Sequence, residues 1–202
     1  YYVTSTPKFS IRNDNSDSVV LTRSSASSTD CPTTTTTVAA GTGNYTLGTF
    51  TAINQGIDCK YLVNGGSTIS VQNKFNVDFE GPVITSVSMD TVDNTTSKVI
   101  QFDLNTIQDN KDGGKGSGTA AYYVKDHSDN ATSSVLPSAS ASGWVTLTSH
   151  VEGTSVTNQS YTLTDTDDNE TKIISVFTKD NAGNVGGPYQ TTFRLGVDST
   201  QP

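Results

Sequence analysis

Hydrophobic and polar residues alternate along this chain and do not recur at helical spacing. Val83–Met89 (VITSVSM) alternates so that Val83, Thr85, Val87 and Met89 share a face. In Lys172–Thr178, Ile174, Val176 and Thr178 fall on one face, and Ile173, Ser175 and Phe177 on the other. No window carries a sustained apolar stripe at helical period, so the pattern predicts strands and little helix. In the first half the predicted strands are Phe9–Arg12, Val19–Thr22, Thr33–Val38, Tyr45–Phe50, Ile57–Val63, Thr68–Val71 and Lys74–Phe79. Turns are predicted at Asn13-Asp14-Asn15, Gly41-Thr42-Gly43-Asn44, Asn54-Gln55-Gly56 and Asn64-Gly65-Gly66. In the second half the predicted strands are Val83–Met89, Lys98–Leu104, Ala120–Lys125, Trp144–Thr148, Ser160–Leu163, Lys172–Thr178 and Thr191–Leu195. Short strands with loops between them, repeated in each half, are the pattern of two β-sandwiches.

The halves meet at Phe79-Glu80-Gly81-Pro82, where Gly-Pro ends one strand and the alternation of Val83–Met89 begins at once. Gly196–Pro202 (GVDSTQP) reads as a second seam of the same kind. The expected organisation is a first module over 1–79, a second over 80–197, and 198–202 as the start of a linker to a further module. The chain has no signal-peptide or transmembrane pattern and opens on Tyr1, so it reads as a mature piece of a longer protein.

Composition narrows the picture. Hydrophobic residues make up 32% of the 202 residues, which predicts thin cores in which only alternate strand positions point inward. The net charge of -8 argues against nucleic acid and anionic membrane as partners, because both select Lys and Arg. The excess is one-sided: up to Glu80 there are five Lys/Arg against six Asp/Glu, and after it seven against fourteen. Cys31 and Cys59 both lie in the first half. They are either two buried thiols or a disulfide; the secreted-looking composition favours the disulfide, worth about 3 kcal/mol for a loop of this length. Without a histidine partner they make a poor zinc site.

Several phrases of the second half then fall together: Gly116-Ser117-Gly118, Tyr122-Tyr123-Val124, Gly143-Trp144, Tyr161-Thr162-Leu163, and Lys179-Asp180-Asn181-Ala182-Gly183-Asn184-Val185. With the linker phrase Val197-Asp198-Ser199-Thr200-Gln201-Pro202, they resemble a family of bacterial surface immunoglobulin-like repeats over about residues 80–202. In that family a strand ending in "KDxAGN" precedes the final hairpin and "VDxTxP" opens the next copy. Asp180-Asn181 can fold the chain back on itself, and Gly183-Asn184 can take up positive φ in a tight hairpin. The resemblance implies tandem modules in adhesins, fibres or large surface proteins. The first half lacks the "DxAGN" phrase and is assigned the same fold by strand count and by its neighbour. The expected fold class is therefore all-β, with two tandem immunoglobulin-like β-sandwich domains.

Three sets of residues carry candidate chemistry. The acidic set is Asp109, Asp112, Asp165, Asp167, Asp168, Glu170 and Asp180. Calcium takes six to eight oxygens, and carboxylates spaced closely in one loop can converge on an ion. The expected metal ligands are Asp165, Asp167, Asp168 and Glu170, with the seam around Glu80 as a second place. This loop lacks the EF-hand pattern, and the competing reading is solvated carboxylates that keep strand edges unpaired and the chain soluble. The aromatic set is Tyr122, Tyr123 and Trp144, candidates to stack on a sugar or protein ligand. Strand alternation lets only one of Tyr122 and Tyr123 point inward, and the competing role for Trp144 is core packing. The histidines, His127 and His150, fit no nucleophile–base pattern, and the chain has no Gly-x-Ser-x-Gly elbow. No catalytic residue is assigned.

The expectation from sequence is a non-catalytic segment of a bacterial cell-surface or secreted protein, acting in adhesion or as a stalk. Its partner would be a protein or glycan ligand at the cell surface, with no nucleic acid and no membrane insertion. It requires no cofactor, and Ca2+ is the ion its acidic loops would take. The alternative is a carbohydrate-binding accessory region of a secreted multidomain enzyme.

Overall fold

The computed structural model describes the chain apart from residues 1, 4, 15, 25–26, 28, 30, 52–53, 67, 71–74, 94, 110–115, 129–134, 165–168 and 197–202. The described residues form strands and no helix. They divide into two compact units, Tyr1–Phe79 and Glu80–Pro202.

The first unit is built from β1 (Tyr2–Val3), β2 (Lys8–Asn13), β3 (Val19–Arg23), β4 (Thr36–Val38), β5 (Gly41–Thr46), β6 (Asn54–Ile57), β7 (Lys60–Val63), β8 (Thr68–Ser70) and β9 (Phe75–Val77). They form sheets of order β1-β9-β6, β2-β5 and β4-β3-β7-β8. Two predicted turns are strands instead: Gly41–Thr46 pairs antiparallel with β2, and Asn54–Ile57 pairs with β9. Backbone hydrogen bonding to an available neighbour outweighs the turn preference of Gly and Asn there. The predicted strand Ile57–Val63 is broken at Asp58-Cys59, where the chain passes between sheets.

That break places Cys59 opposite Cys31, and the two form a disulfide. Both sulfurs sit in a core with Val19, Leu21, Val38, Leu47, Phe50, Ile57, Tyr61 and Val77. A unit of 79 residues with so few large apolar side chains buries little surface for its length, and the cross-link restricts the unfolded chain in compensation. Tyr61 adds a cost to the same core. It is 2% exposed, and its hydroxyl has no hydrogen-bond partner among the described residues. Burial pushes its phenol up to about 12, with the Arg23 charge pulling modestly the other way.

The second unit contains β10 (Val83–Met89), β11 (Val99–Gln108), β12 (Thr119–Ser128), β13 (Val145–Thr146), β14 (Thr154–Thr162), β15 (Thr171–Asp180) and β16 (Val185–Arg194). These form two sheets, β10-β11-β14 and β13-β12-β15-β16. Between them lie Ile84, Val87, Ile100, Phe102, Leu104, Ile107, Tyr122, Val124, Leu163, Ile174, Val176, Phe193 and Leu195. Two sheets enclosing one apolar layer is the arrangement of a sandwich. The alternation expected of β10 does not hold. Ile84 and Val87 are buried, while Val83 is 42% exposed. The ladder to β11 skips the Thr85/Thr106 position, where Thr106 has φ of 46°, and this irregularity exchanges the faces.

In β15 the alternation holds, but both faces are covered. Ile174, Val176 and Thr178 turn inward, and Ser175 and Phe177 on the outer face are also fully buried. The turn around Ala139–Trp144 lies over that outer face, with Lys179 Nζ donating to Ala139 O at 2.9 Å.

Two outcomes follow for the first unit. Reducing Cys31–Cys59 is expected to lower its stability by about 3 kcal/mol, read as faster hydrogen exchange of the β3 and β7 amides; unchanged exchange would refute the cross-link's role. Replacing Tyr61 with Phe removes a buried hydroxyl that has no partner among the described residues and should leave stability equal or raised by up to about 1 kcal/mol. In the parent chain the folded state holds the Tyr61 proton more tightly than the unfolded chain does. Its stability contribution is therefore full below the ordinary tyrosine value near 10 and lost as pH rises toward 12. Y61F should flatten that alkaline decline in urea titrations.

Candidate functional site

One end of the second unit gathers the end of β11, the start of β12, the segment before β14 and the hairpin between β15 and β16. The hairpin between β15 and β16 is built on Asp180. Its carboxylate accepts the amides of Gly183 at 2.6 Å and Asn184 at 2.8 Å through Oδ1, and the Asn184 side-chain amide at 2.7 Å through Oδ2. Gly183 has φ of 96°, a conformation that a side chain would strain. Asn181 ties the hairpin to the neighbouring loop. Its backbone N–H donates to Gly118 O, and its side-chain amide donates to Ser117 O and Gly118 O. Ala182 N donates to Ser117 Oγ. The phrase from Asp180 to Asn184 is thus a set of caps, each residue satisfying a backbone group that the turn would leave open.

Asp109 and Glu152 complete this end. Asp109 Oδ2 accepts Gly118 N at 2.6 Å. Glu152 accepts Thr119 N at 2.5 Å through Oε1, and Asp109 N at 2.6 Å and Thr119 Oγ1 at 3.1 Å through Oε2. Asp109 is 3% exposed and Asp180 2%. A carboxylate oxygen of each lies within 4.8 Å of one on the other. Two full charges at that separation repel by about 3 kcal/mol at an effective dielectric near 20. The N–H dipoles aimed at both oxygen pairs offset that repulsion. The pair is also a hard-oxygen donor set of the kind that Ca2+ or Mg2+ takes, with the remaining ligands to come from carbonyls and water.

Of the calcium ligands expected from sequence, Asp165, Asp167 and Asp168 lie outside the described residues, as does Asp112. Glu170 is half-buried and accepts Lys172 Nζ at 3.3 Å, so it is engaged with a fully buried lysine. Glu80, at the seam, is exposed. Asp109 and Asp180 were legible as acidic residues, but Glu152 was not. Its only sequence signal is a lone carboxylate before a strand.

The aromatic set separates by strand parity. Tyr122 is the inward residue: it is 3% exposed, packs edge-on to Phe102 at 6.3 Å and donates to Gln159 Oε1 at 2.7 Å. It belongs to the core and is withdrawn from any surface platform. Tyr123 points outward and meets Trp144 at 5.5 Å and Phe177 at 6.5 Å, edge to face. Trp144 is half-buried on this outer face and does not enter the sandwich core, contrary to the packing role expected of it. Its indole N–H donates to Ser138 O at 3.0 Å, and Lys179 Nζ stands 4.7 Å from its ring centroid. A single tryptophan thus fastens its own turn to the back of β12 and β15.

His127 has no hydrogen-bond partner for either ring nitrogen among the described residues, and His150 Nε2 lies 3.3 Å from Ile107 O. No family model and no curated protein matches the chain.

Asp180→Asn keeps the shape of the hairpin cap but removes its charge and sets an amide N–H against the Asn184 amide. A loss of about 2–3 kcal/mol in second-unit stability is expected by chemical denaturation, followed through Trp144 fluorescence. A loss below about 0.5 kcal/mol would mean the carboxylate does not hold the turn.

Proposed function

We propose that this chain is a non-catalytic, extracellular segment of a larger bacterial surface protein. In this reading two tandem immunoglobulin-like sandwiches act as a stalk or adhesive spacer. The observation that carries it is where the second unit is entered and left. Gly81 and Pro82 lie against Val185 and Gly186, at the start of β16. The exit, Leu195-Gly196, follows the other end of that strand, where Gly196 N donates to Thr95 O. Entry and exit are thus separated by the length of β16, roughly 30 Å at 3.3 Å per residue. A module whose ends lie at opposite poles extends the chain it interrupts, whereas one with adjacent ends projects sideways from it. The disulfide supports an oxidising compartment, as outside the cell. The negative charge supports solubility there without nucleic-acid partners.

The second reading, a carbohydrate-binding accessory region, is favoured by Tyr123 and Trp144 on an outer sheet face. Against it, the Trp144 N–H and one approach to its ring are already committed to Ser138 and Lys179. Display of the segment between a cell anchor and an epitope separates the two. The spacer reading expects bead-sized antibody access to be lost when the segment is deleted and restored by an unrelated rigid insert of equal length. Failure of that insert would reject it. Glycan-array binding abolished by W144A would establish the accessory reading in its place.

A further inference from the structure

We propose that the second unit resists tension applied along its length, because both of its terminal strands are loaded in shear. The inference rests on the stalk reading for its purpose, but its physics follows from the strand directions. β10 and β16 run the same way, side by side. At their starts, Gly81 and Pro82 meet Val185 and Gly186 so closely that a Cβ on Gly186 would sit 2.1 Å from Pro82 O. At the far end of β16, Arg194 N donates to Asp93 Oδ1 at 3.1 Å and Leu195 bridges Thr95 in parallel, both partners lying in the connection that follows β10. A pull on Glu80 and on the chain beyond Gly196 is therefore directed along both strands in opposite senses.

The consequence lies in how the bonds share the load. Antiparallel ladder bonds stand perpendicular to their strands. β10 is laddered to β11 over Val83–Met89, and β16 to β15 over nearly its whole length. When force runs along a strand, all the bonds of its ladder must be strained together before any of them breaks. When force acts across a strand end, the bonds open singly.

Both termini are also pinned outside the ladders. Pro82 O accepts the Thr178 hydroxyl at 2.6 Å and the Tyr189 hydroxyl at 3.1 Å, which ties the entry of β10 to β15 and β16. Gly196 N donates to Thr95 O at 2.8 Å, and Leu195 N to Glu170 O at 3.0 Å, which tie down the exit of β16. The entry pin is buried, with Thr178 fully inaccessible, so water cannot readily replace the hydroxyl as it leaves.

Single-molecule pulling on the full chain, with the native disulfide intact, tests this in two geometries. In the first, handles sit on Glu80→Cys and after Pro202, so the force runs along the strands. In the second, they sit on Glu80→Cys and Ser142→Cys, an exposed position in the turn near the hairpin, so β10 is peeled from one end. The axial geometry is expected to unfold in a single event releasing roughly 380 Å of chain. Its unfolding force should be at least about twice that of the peeling geometry, because bonds break together and not in sequence. Thr178→Val with Tyr189→Phe removes both donors to Pro82 O and should lower the axial force while leaving the peeling force nearly unchanged. Equal forces in the two geometries would overturn the proposal whether or not the double variant folds. An unchanged axial force in a folded double variant would overturn the role of the Pro82 pin. Neither result would touch the stalk reading, since a compliant stalk still spaces, whereas failure of the equal-length insert would remove that reading and leave the shear geometry standing.

Discussion

The second unit depends on one strand being buried on both faces. β15 supplies Ile174 and Val176 to the layer between the sheets, and its other side holds Ser175 and Phe177 with no exposure at all. A strand in that position must be covered twice. The sandwich core covers it on one side. On the other, the turn carrying Trp144 is drawn down by the Tyr123 and Phe177 rings, the Lys179 ammonium and the Ser138 carbonyl. The Asp180 cap closes the end of the same strand. Aromatic pairs of this kind contribute about 0.5–1.5 kcal/mol each beyond their buried area, so the outer layer is a second, smaller source of cohesion.

The first unit meets the shortage of apolar residues differently. It has no tryptophan, and its sheets are small. Its cohesion comes from a cross-link set among Leu21, Phe50, Ile57 and Tyr61. The Tyr61 hydroxyl, buried without a hydrogen-bond partner among the described residues, adds a cost to this core. A short chain with a disulfide can tolerate such a cost, because the unfolded state has already lost part of its freedom.

The all-β class, the disulfide and the inward turn of one residue of Tyr122-Tyr123 were legible in the sequence because each follows from a short-range rule: alternation, cysteine count and parity. What was not legible depended on longer range. The Gly41–Asn44 and Asn54–Gly56 segments have turn composition, but each finds a partner strand distant in sequence. The face exchange in β10 arises from a positive φ at Thr106 in the neighbouring strand, which β10's own residues do not reveal. Trp144, the only tryptophan, had ligand stacking and core packing as its two candidate roles. Its actual surface depends on which face of the β12–β15 pair its turn crosses. At the acidic end, Asp109 and Asp180 were visible as carboxylates, but nothing local shows that the 70 intervening residues return to bring them within 4.8 Å.

The acidic excess of the second half therefore has an architectural part. Carboxylates in loops are ordinarily a solvated coat, yet Asp109, Asp126 and Asp180 are all buried. Asp126 repeats in mid-sheet what Asp180 does at the hairpin, accepting the Tyr161 hydroxyl, the Thr164 hydroxyl and the Thr164 amide. Burial of the Tyr161 phenol, helped by the hydrogen bond to Asp126 and its charge, holds it well above the ordinary tyrosine range. Each of these carboxylates serves a strand end or the loop beside it, where ladder bonding stops and backbone N–H groups would otherwise be buried without partners. Charge-assisted bonds are roughly twice as strong as neutral ones, so a few carboxylates can do at strand ends what a thicker core would do by area. A sequence poor in large apolar residues and rich in Asp suits a fold that relies on such caps, Asp109 and Asp180 at a loop and a hairpin and Asp126 from within β12 to the end of β14.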